Sequence, residues 1–415
     1  MPYAPDDRPR IRNVEPVLVA VQGKSVVALK DPLQLAPHTV CLAREVLPVL
    51  GLMDGRHSLR DIQALLTRAT GQLAFMEPLQ RLVDTLDEAY LLHGDRFQEG
   101  FRRKVEEYRQ SPFRPSSHAG ASYSGDPETL RRDLGAFFTE DGGPGMPALF
   151  SEARRPIGLI APHIDIRAGG KCFAYGYHAL GSGQPSDIYV ILGTGHAGVE
   201  NMFTATTLDF QTPLGITRTD RDFIRELGEE LGYDPAAEEI LHASEHVIEF
   251  QVVFLQHLFS ARHDFTIVPI LCSLSHRYFD GNGPFAEERE LFERFCHGIR
   301  EVCRRSSKTV CFIASADLDH VGPRYGDSFE PHAGTIKTSL DADSVLLDLL
   351  ESLDVGGFIK TVARDNDSRR ICGFSPMTTM FHCMEGAGFG KRLALDHSQV
   401  DNRHSFVTFA SMVFY

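Results

Sequence analysis

The stretch Pro156-Ile157-Gly158-Leu159-Ile160-Ala161 is almost continuously apolar, and Pro162-His163-Ile164-Asp165 follows it directly. A second run, Ile188-Tyr189-Val190-Ile191-Leu192, has the same character and leads into Gly193-Thr194-Gly195-His196. Short apolar runs of this kind are typical of strands that are covered on both faces of a sheet. The two stretches therefore predict buried strands that each end in a histidine.

Strand-type and helix-type segments alternate along the rest of the second half of the chain. Further apolar runs occupy residues 265–271 and 309–314, and helix-type segments occupy residues 220–231, 246–258 and 287–304. Strands that alternate with helices favour a mostly parallel sheet with helices on both faces. We therefore predict an α/β domain over residues 118–415.

The N-terminal part of the chain has a different pattern. Two β-prone runs, at residues 17–21 and 25–29, flank a turn at residues 22–24. Three helix-type segments follow, the first over residues 40–50 and the second with Ser58 as its N-cap. A third helix is expected over residues 77–91. Two strands and three helices make a small independent module.

These patterns predict the division of the chain into domains. A proline-rich, charged leader at residues 1–13 is expected to be flexible, and a small winged-helix-like domain follows at residues 14–100. A polar, basic linker is expected at residues 101–117, because its proline-containing stretch is poor material for regular structure. The α/β domain begins after it.

Composition and charge limit the classes of function. The formal net charge of −14 over 415 residues argues against nucleic-acid binding, which requires clustered lysine and arginine. No apolar run reaches the roughly 18 residues of a membrane-spanning helix, and no secretory signal opens the chain. The eight cysteines include no CxxC pair or regular spacing, as expected where thiols stay reduced. We predict a cytoplasmic protein that does not enter a membrane.

Three of the predicted strands end in a polar cluster that contains histidine. His163 and His196 follow the first two strands, and Asp317, Asp319 and His320 follow a third. In open α/β sheets, binding sites form in the crevice beyond the carboxyl ends of the strands. A single histidine at a strand end is usually an ordinary hydrogen-bonded residue, but three such clusters predict a shared site.

A fourth candidate is the segment between residues 242 and 249. His242, Glu245, His246 and Glu249 share one helical face if the helix already includes residue 242. Such a face can bind a metal ion, although a solvated polar face explains most runs of this kind. The segment is not an HExxH motif, so the mechanism of the zinc proteases does not transfer to it.

A fifth candidate is Cys372, which precedes a helix rich in methionine and phenylalanine. A helix N-terminus lowers the pKa of a thiol and could present Cys372 as a thiolate. The alternative for an isolated cysteine is a small buried hydrophobic residue.

Together, in this order, these motifs resemble the Memo family, in particular its bacterial and archaeal branch, known as AmmeMemoRadiSam system protein B. The resemblance begins at Ser117-His118-Ala119-Gly120-Ala121-Ser122-Tyr123, which looks like the family's early HAGxWY segment, and continues through both histidine-ended strands. The motifs that follow in the family's order are Thr212-Pro213-Leu214-Gly215, Glu245-His246-Val247-Ile248-Glu249, Ser315-Ala316-Asp317 with His320, and Ile371-Cys372-Gly373. The resemblance covers roughly the C-terminal three quarters of the chain.

The resemblance implies a fold like that of the class III extradiol dioxygenases, whose active site holds non-haem iron. The residues that match the family's metal ligands are His163, His196 and Cys372, and those that would line the same pocket are Asp317, His320 and His246. Two histidines and a thiolate suit a soft or borderline ion such as iron, copper or zinc, and the resemblance implies iron first.

Two departures from the family pattern bear on this site. Asp319 stands where the family usually has a cysteine before its last histidine, which would shift the site toward harder ions. The family's paired histidine is reduced to His196-Ala197, which removes one ligand.

The N-terminal module, residues 14–97, is similar to PqqD-like domains of winged-helix type, which accompany radical SAM peptide-modifying systems. This resemblance rests on the hairpin and on the sequence around the helix start at residues 52–62. A DNA-binding winged helix is the alternative, which the acidic net charge disfavours. A radical SAM protein or a peptide is the partner that the resemblance implies, besides a small-molecule substrate of unknown identity.

Three functions are compatible with these residues. In a metal-dependent oxidoreductase, His163, His196 and Cys372 would hold the ion. His246 or His320 would move protons, and Asp317 would orient a histidine.

The second function is a noncatalytic scaffold that binds a peptide or a metal ion, since a fold does not determine a function. The third is a metal-assisted hydrolase, ranked last because the sequence has no nucleophile motif and no two-metal carboxylate set. We predict the oxidoreductase.

Overall fold

The computed structural model of the protein describes residues 3–21, 24–279 and 284–415. The chain divides into two compact units, Met1–Ser111 and Pro112–Tyr415. The boundary lies inside the segment for which the sequence predicts a linker. No helix in the described part of the chain is long and apolar enough to span a lipid bilayer.

The N-terminal unit contains an antiparallel sheet of strands in the order β1-β2-β3. The strands are β1 (Glu15–Val21), β2 (Lys24–Lys30) and β3 (Val40–Ala43). The predicted hairpin is confirmed, although Gln22 and Gly23 of its turn lie outside the described residues. The helix predicted over residues 40–50 is wrong in its first half. Val40 instead pairs with Leu29 in the sheet, a long-range contact that local periodicity cannot reveal.

The helices of the N-terminal unit are α1 (Leu47–Leu52), α2 (Leu59–Thr70), α3 (Met76–Glu88) and α4 (Asp95–Arg109). The predicted N-cap of α2 is confirmed, because the Ser58 hydroxyl accepts a hydrogen bond from the Asp61 amide at 3.1 Å. Leu59, Ile62 and Leu86 are completely buried in the core of this unit. A winged-helix or PqqD-like identity for the unit stays a prediction.

Two parts of the predicted domain division differ from the structure. Residues 101–109 continue α4 instead of forming an irregular linker. Within the described residues 3–13, the chain packs on the unit: the Leu59 amide donates to the Asp7 carbonyl at 3.0 Å, and Arg12 forms a buried ion pair with Asp31 at 2.8 Å. The prediction of a flexible leader rests on local composition, which carries no information about partners that are distant in the sequence.

The C-terminal unit contains a large sheet of mixed direction and a small one. Its strands are β4 (Phe113–Arg114), β5 (Gly158–Ala161), β6 (Ile188–Thr194), β7 (Phe203–Ala205), β8 (Asp209–Thr212), β9 (Gly215–Thr217), β10 (Thr266–Cys272), β11 (Val310–Ser315), β12 (Asp317–Val321), β13 (Gly390–Gln399) and β14 (Phe406–Phe414). The large sheet has the order β12-β14-β5-β11-β6-β10-β7, with β13 paired to β14, and the small sheet has the order β4-β8-β9.

The helices of this unit are α5 (Pro127–Thr139), α6 (Ile166–Ser182), α7 (Arg221–Leu231), α8 (Val247–Phe259), α9 (Ala286–Arg305), α10 (Ala333–Glu351), α11 (Val355–Arg364) and α12 (Phe374–Cys383). The α/β fold, the strands β5, β6, β10 and β11, and the helices α7, α8 and α9 agree with the sequence analysis. Similarity to the extradiol dioxygenase fold stays a prediction.

The strands in the middle of the large sheet, β5, β11, β6 and β10, are parallel, whereas its flanks are antiparallel. The prediction of a mostly parallel sheet is therefore right only for this central part. Strand β12 follows β11 after a single residue, Ala316, and β13 and β14 form a hairpin. Such short connections are too short for the crossover that parallel neighbours require. Apolar periodicity shows that a strand is buried but not whether its neighbours run parallel or antiparallel to it.

Both faces of the central strands are buried, as their apolar runs predict. On β6, Tyr189 and Ile191 face a core shared with α8, and Val190 and Leu192 face a second core shared with α9. The side chains of a strand alternate between its faces, so a strand that is covered on both sides is apolar along its whole length. Polar chemistry is displaced to the strand ends, where β5 and β6 terminate beside the start of α8 and α12.

Candidate metal centre

His163 follows β5 and is buried, with 2% of its surface exposed. Its ring Nδ1 lies 3.0 Å from the Ser315 carbonyl oxygen at the end of β11. Because a carbonyl oxygen only accepts hydrogen bonds, Nδ1 carries a proton, and Nε2 is the nitrogen whose lone pair becomes free when the ring is neutral. Nε2 points to the Cys372 sulfur at 3.1 Å. The ring is therefore held in the tautomer that a metal ligand requires.

His196 reaches the same place from the end of β6. Both its backbone amide and its Nδ1 lie against the Glu245 carboxylate, at 3.0 and 3.2 Å. The protonated Nδ1 therefore donates a hydrogen bond to the carboxylate, and the other ring nitrogen is turned toward Cys372. A Cβ atom on Gly193 would lie 2.3 Å from Val247 Cγ2, so the glycine lets the start of α8 pack directly on this strand end.

Cys372 stands immediately before Gly373 and α12. The Gly373 amide donates a 2.9 Å hydrogen bond to the Asp317 carbonyl, and Thr194 donates its hydroxyl to the Cys372 carbonyl at 2.8 Å. A Cβ atom on Gly373 would lie 2.5 Å from the Asp317 carbonyl oxygen, so no larger residue fits there without a shift. The sulfur is thereby fixed between the ends of β6 and β12.

One ligand atom from each of His163, His196 and Cys372 lies within 4.8 Å of the other two. The imidazole centroids of the two histidines are 5.3 Å apart, with their planes at 81°. Bond lengths of about 2.0–2.3 Å from nitrogen and sulfur to a metal ion require ligand atoms at about this mutual spacing. The donor set, two imidazoles and a thiolate, suits iron, copper or zinc, so the residues present fit such an ion.

Neighbouring charges favour the ionised forms of His163 and Cys372. Burial alone lowers the pKa of His163, but the negative Cys372 and Asp317 outweigh it and raise the pKa to about 9. Burial opposes the thiolate of Cys372, yet the neighbouring His163 and His320 hold its pKa well below the ordinary value. These neighbours favour the thiolate, which is the form that binds metal.

Asp317 and His320 lie on β12 beside these three residues. The Asp317 carboxylate accepts a hydrogen bond from the His163 amide at 2.9 Å, and its second oxygen lies 3.7 Å from His163 Nε2. His320 Nδ1 donates to the Leu318 carbonyl at 2.9 Å, so its other nitrogen faces the thiol of Cys372. Both residues border the candidate ligands, and the roles that the sequence analysis gives them stay predictions.

The condition for a shared helical face at residues 242–249, a helix that already includes residue 242, is not met. Helix α8 begins only at Val247, and His242 belongs to a separate turn of 3₁₀ helix. His242 is buried with its Nε2 on the Thr204 carbonyl at 3.1 Å, and burial lowers its pKa to about 3. Of the four side chains, Glu245 and His246 turn toward the site, where Glu245 Oε1 lies 3.0 Å from His246 Nδ1.

Comparison with known proteins bears on this geometry. A model of the family described as Memo-like protein matches residues 114–413, which is most of the chain. The chain belongs to the Memo-like family.

Proteins described as MEMO1 family proteins are similar to this Memo-like chain. One from Aquifex aeolicus is 28% identical over 391 residues, covering 93% of this chain and 95% of the relative. One from Methanosarcina barkeri is 28% identical over 286 residues, covering 69% of this chain and 92% of the relative. One from Methanopyrus kandleri is 30% identical over 275 residues, covering 65% of this chain and 86% of the relative. The Aquifex relative therefore extends over both compact units, whereas the archaeal ones match less of the chain.

The Memo-like unit also brings a residue to the site to which the sequence analysis assigned no role. His118 belongs to the segment at residues 117–123, and its ring centroid lies 5.5 Å from that of His246. The segment is fixed by Glu249, which accepts hydrogen bonds from the His118 amide at 3.0 Å and from the Tyr123 hydroxyl. The only sequence signal for this placement is the segment's likeness to the family motif.

Among the described residues, Asp319 is not one of the candidate ligands, so the structure gives no support to the predicted shift toward harder ions. Its carboxylate instead accepts a hydrogen bond from Arg369 Nε at 3.0 Å, and Arg369 also binds Asp343. A register shift between residues 317 and 320 of β12 changes which side chains point into the site. Sequence spacing alone cannot predict such a bulge.

Proposed function

We propose that this protein is a metal-dependent oxidoreductase of the non-haem type, with an iron ion held by His163, His196 and Cys372 and with copper or zinc as alternatives. The observation that carries the proposal is the 3.1 Å approach of His163 Nε2 to the Cys372 thiolate beside the third ligand. A soft thiolate with two imidazoles favours ions that are redox-active or borderline. Three protein ligands leave coordination positions open for an exogenous molecule.

The residues around the ligands would prepare the reaction. When bound, iron or copper would supply one-electron chemistry, which zinc cannot. Asp317 holds the backbone of His163, and Glu245 holds the ring of His196, so both rings keep their orientation. His320 is the candidate for moving a proton, because its Nδ1 is fixed on a carbonyl and its other nitrogen faces the thiolate.

A cavity beside the thiol gives a substrate a route to this site. Its volume is about 420 Å³, and its lining includes Cys372, Thr194, His276 and Tyr278. Pockets for small molecules are usually about 300–1,000 Å³, so this cavity suits a small substrate or a short peptide segment. A radical SAM protein or a peptide remains the partner class that we propose from the family resemblance.

Anaerobic purification followed by elemental analysis tests the proposal. We expect near-stoichiometric iron or copper in the wild type, loss of that metal in Cys372→Ala, and full retention in the matched control Cys303→Ala. The thiolate should also give the loaded protein a charge-transfer absorption band that changes reversibly on chemical reduction and reoxidation.

Three outcomes would contradict the proposal. Equal metal content in Cys372→Ala and wild type would show that the thiol is not a ligand. A firmly bound ion that never changes oxidation state would exclude the redox role and favour the hydrolase. Absence of metal even after anaerobic reconstitution would favour the scaffold.

A further inference from the structure

Glu245 is a buried carboxylate whose only ionic partners, within the described part of the chain, are imidazoles. Its side chain is 6% exposed and lies between His196 and His246, and no lysine or arginine is paired with it there. Burying a charge is costly unless an opposite charge compensates it. The neighbouring rings are 41% and 29% exposed, so this group can be reached from solvent.

The spacing of these three residues matches that of ligands around one ion. Glu245 Oε1 lies 3.2 Å from His196 Nδ1 and 3.0 Å from His246 Nδ1. Ligand atoms about 2.1 Å from an ion are separated by about 3.0–3.4 Å in octahedral or tetrahedral geometry. The two imidazole centroids are 5.2 Å apart with their planes 13° from parallel. One ligand atom from each residue lies within 4.8 Å of the others.

We propose that His196 Nδ1, Glu245 and His246 Nδ1 form a second divalent-cation site, which shares the His196 ring with the site of the proposed function. The inference builds on that proposed function, since His196 would connect the two ions. Two imidazoles and one carboxylate suit borderline ions such as Fe²⁺, Mn²⁺, Co²⁺ or Zn²⁺. The ligands of the first site, His163, His196 and Cys372, are called the thiolate set below. They would bind a softer ion, so the two sites differ in the metal ion that they prefer.

Proton balance at this site follows from the ring tautomers. The cation replaces the hydrogen bonds that the two Nδ1 atoms make to Glu245. His246 keeps its proton by moving it to Nε2, where the ring is partly exposed. His196, whose Nε2 faces the thiolate set, releases its Nδ1 proton to solvent when both sites are filled.

Anaerobic titration of the metal-free protein with Co²⁺ separates the two sites. Binding at the thiolate set gives an intense sulfur-to-cobalt absorption band, whereas the nitrogen and carboxylate set gives only weak bands. We expect the intense band to reach its maximum before total binding, measured by equilibrium dialysis, is complete. Total binding should approach twice the cobalt that produces the band.

Three variants assign the cobalt to residues. Cys372→Ser should abolish the intense band and keep the second cobalt. His246→Asn should keep the band and lose the second cobalt, because asparagine retains a donor for Glu245 but is a poor ligand. His118→Asn is the matched control, since His118 adjoins His246 but lies outside both sets, and it should bind cobalt like the wild type.

The outcomes distinguish this proposal from the preceding one. If the wild type binds cobalt only at the thiolate set, and His246→Asn binds the same amount, Glu245 merely orients the rings and the second site is overturned. If no thiolate band forms, but one cobalt binds and is lost in His246→Asn, the second site stands and the oxidoreductase centre fails.

Discussion

Glu245 and Glu249 have the same side chain, lie four residues apart in the sequence and are both buried, yet their surroundings are opposite. Glu249 is paired with the fully buried Arg114 and accepts further hydrogen bonds from the Ser117 and His118 amides at 3.0 Å. Glu245 is paired with two imidazoles, which can exchange protons or bind metal. A permanently charged partner makes the first carboxylate structural, and titratable partners leave the second available for chemistry.

The geometry connects the two carboxylates through Arg114. Its guanidinium binds Glu249 and also donates to the carbonyl oxygens of His242 at 2.9 Å and Glu245 at 2.6 Å. The structural pair therefore holds the backbone on which Glu245 and His246 stand. Variants at each carboxylate should separate the stability of the unit from the properties of the site.

The largest expected effect is on stability, from Glu249→Gln. The substitution leaves the buried Arg114 without its counter-charge, and breaking a buried ion pair costs about 3–5 kcal/mol. We expect urea unfolding of the metal-free protein to show a loss of this size. Glu245→Gln, measured in the same way, should cost far less, because its partners can lose their protons. Equal losses in the two variants would remove the distinction between them.

A third arrangement of buried carboxylates sharpens the comparison, because Asp319 and Asp343 share the single guanidinium of Arg369. Burial, with the charge of Asp319, raises the pKa of Asp343 to about 6 against the pull of Arg369. The folded state therefore keeps a proton that the unfolded chain releases near pH 3.8. Stability from this group is complete below that pH and is lost as the pH rises through about 6.

The expected size of this pH effect is about 3 kcal/mol, because the pKa of Asp343 is about 6 in the folded state and 3.8 in the unfolded chain. Unfolding free energies of the metal-free protein, measured at intervals from about pH 4 to about pH 7, should fall by up to this amount relative to Asp343→Asn, which cannot titrate. If the unfolding free energy of Asp343→Asn depends on pH as that of the wild type does, Asp343 is ionised in the folded state over the whole range.

The smallest expected effect is on metal affinity, from Glu245→Gln. Removing the carboxylate that orients a ligating histidine typically lowers affinity about 10–100-fold. We expect a loss of this size for the ion at the thiolate set, measured by competition with a chelator of known affinity. Glu249→Gln, measured under conditions where it is folded, is the matched control and should retain most of the affinity. Wild-type affinity in Glu245→Gln would show that Glu245 does not support His196.

Much of the fold was predictable because burial on both faces leaves a local mark. Continuous apolar runs identified β5 and β6, and the N-cap residue Ser58 identified the start of α2. Strand β3 and the packing of residues 3–13 were not predictable, because each depends on partners distant in sequence. The antiparallel flanks of the large sheet were missed for the same reason.

By itself, the sequence determined which residue types stand at the strand ends and, through the order of its motifs, the Memo-like family. His163, His196 and Cys372 could be named because a histidine after a buried strand and a cysteine before a helix are local features. Only the tertiary structure separated Glu245 from Glu249 and Asp317 from Asp319. Side-chain direction there depends on where α8 begins and on a bulge in β12, and both are decided by packing against residues far along the chain.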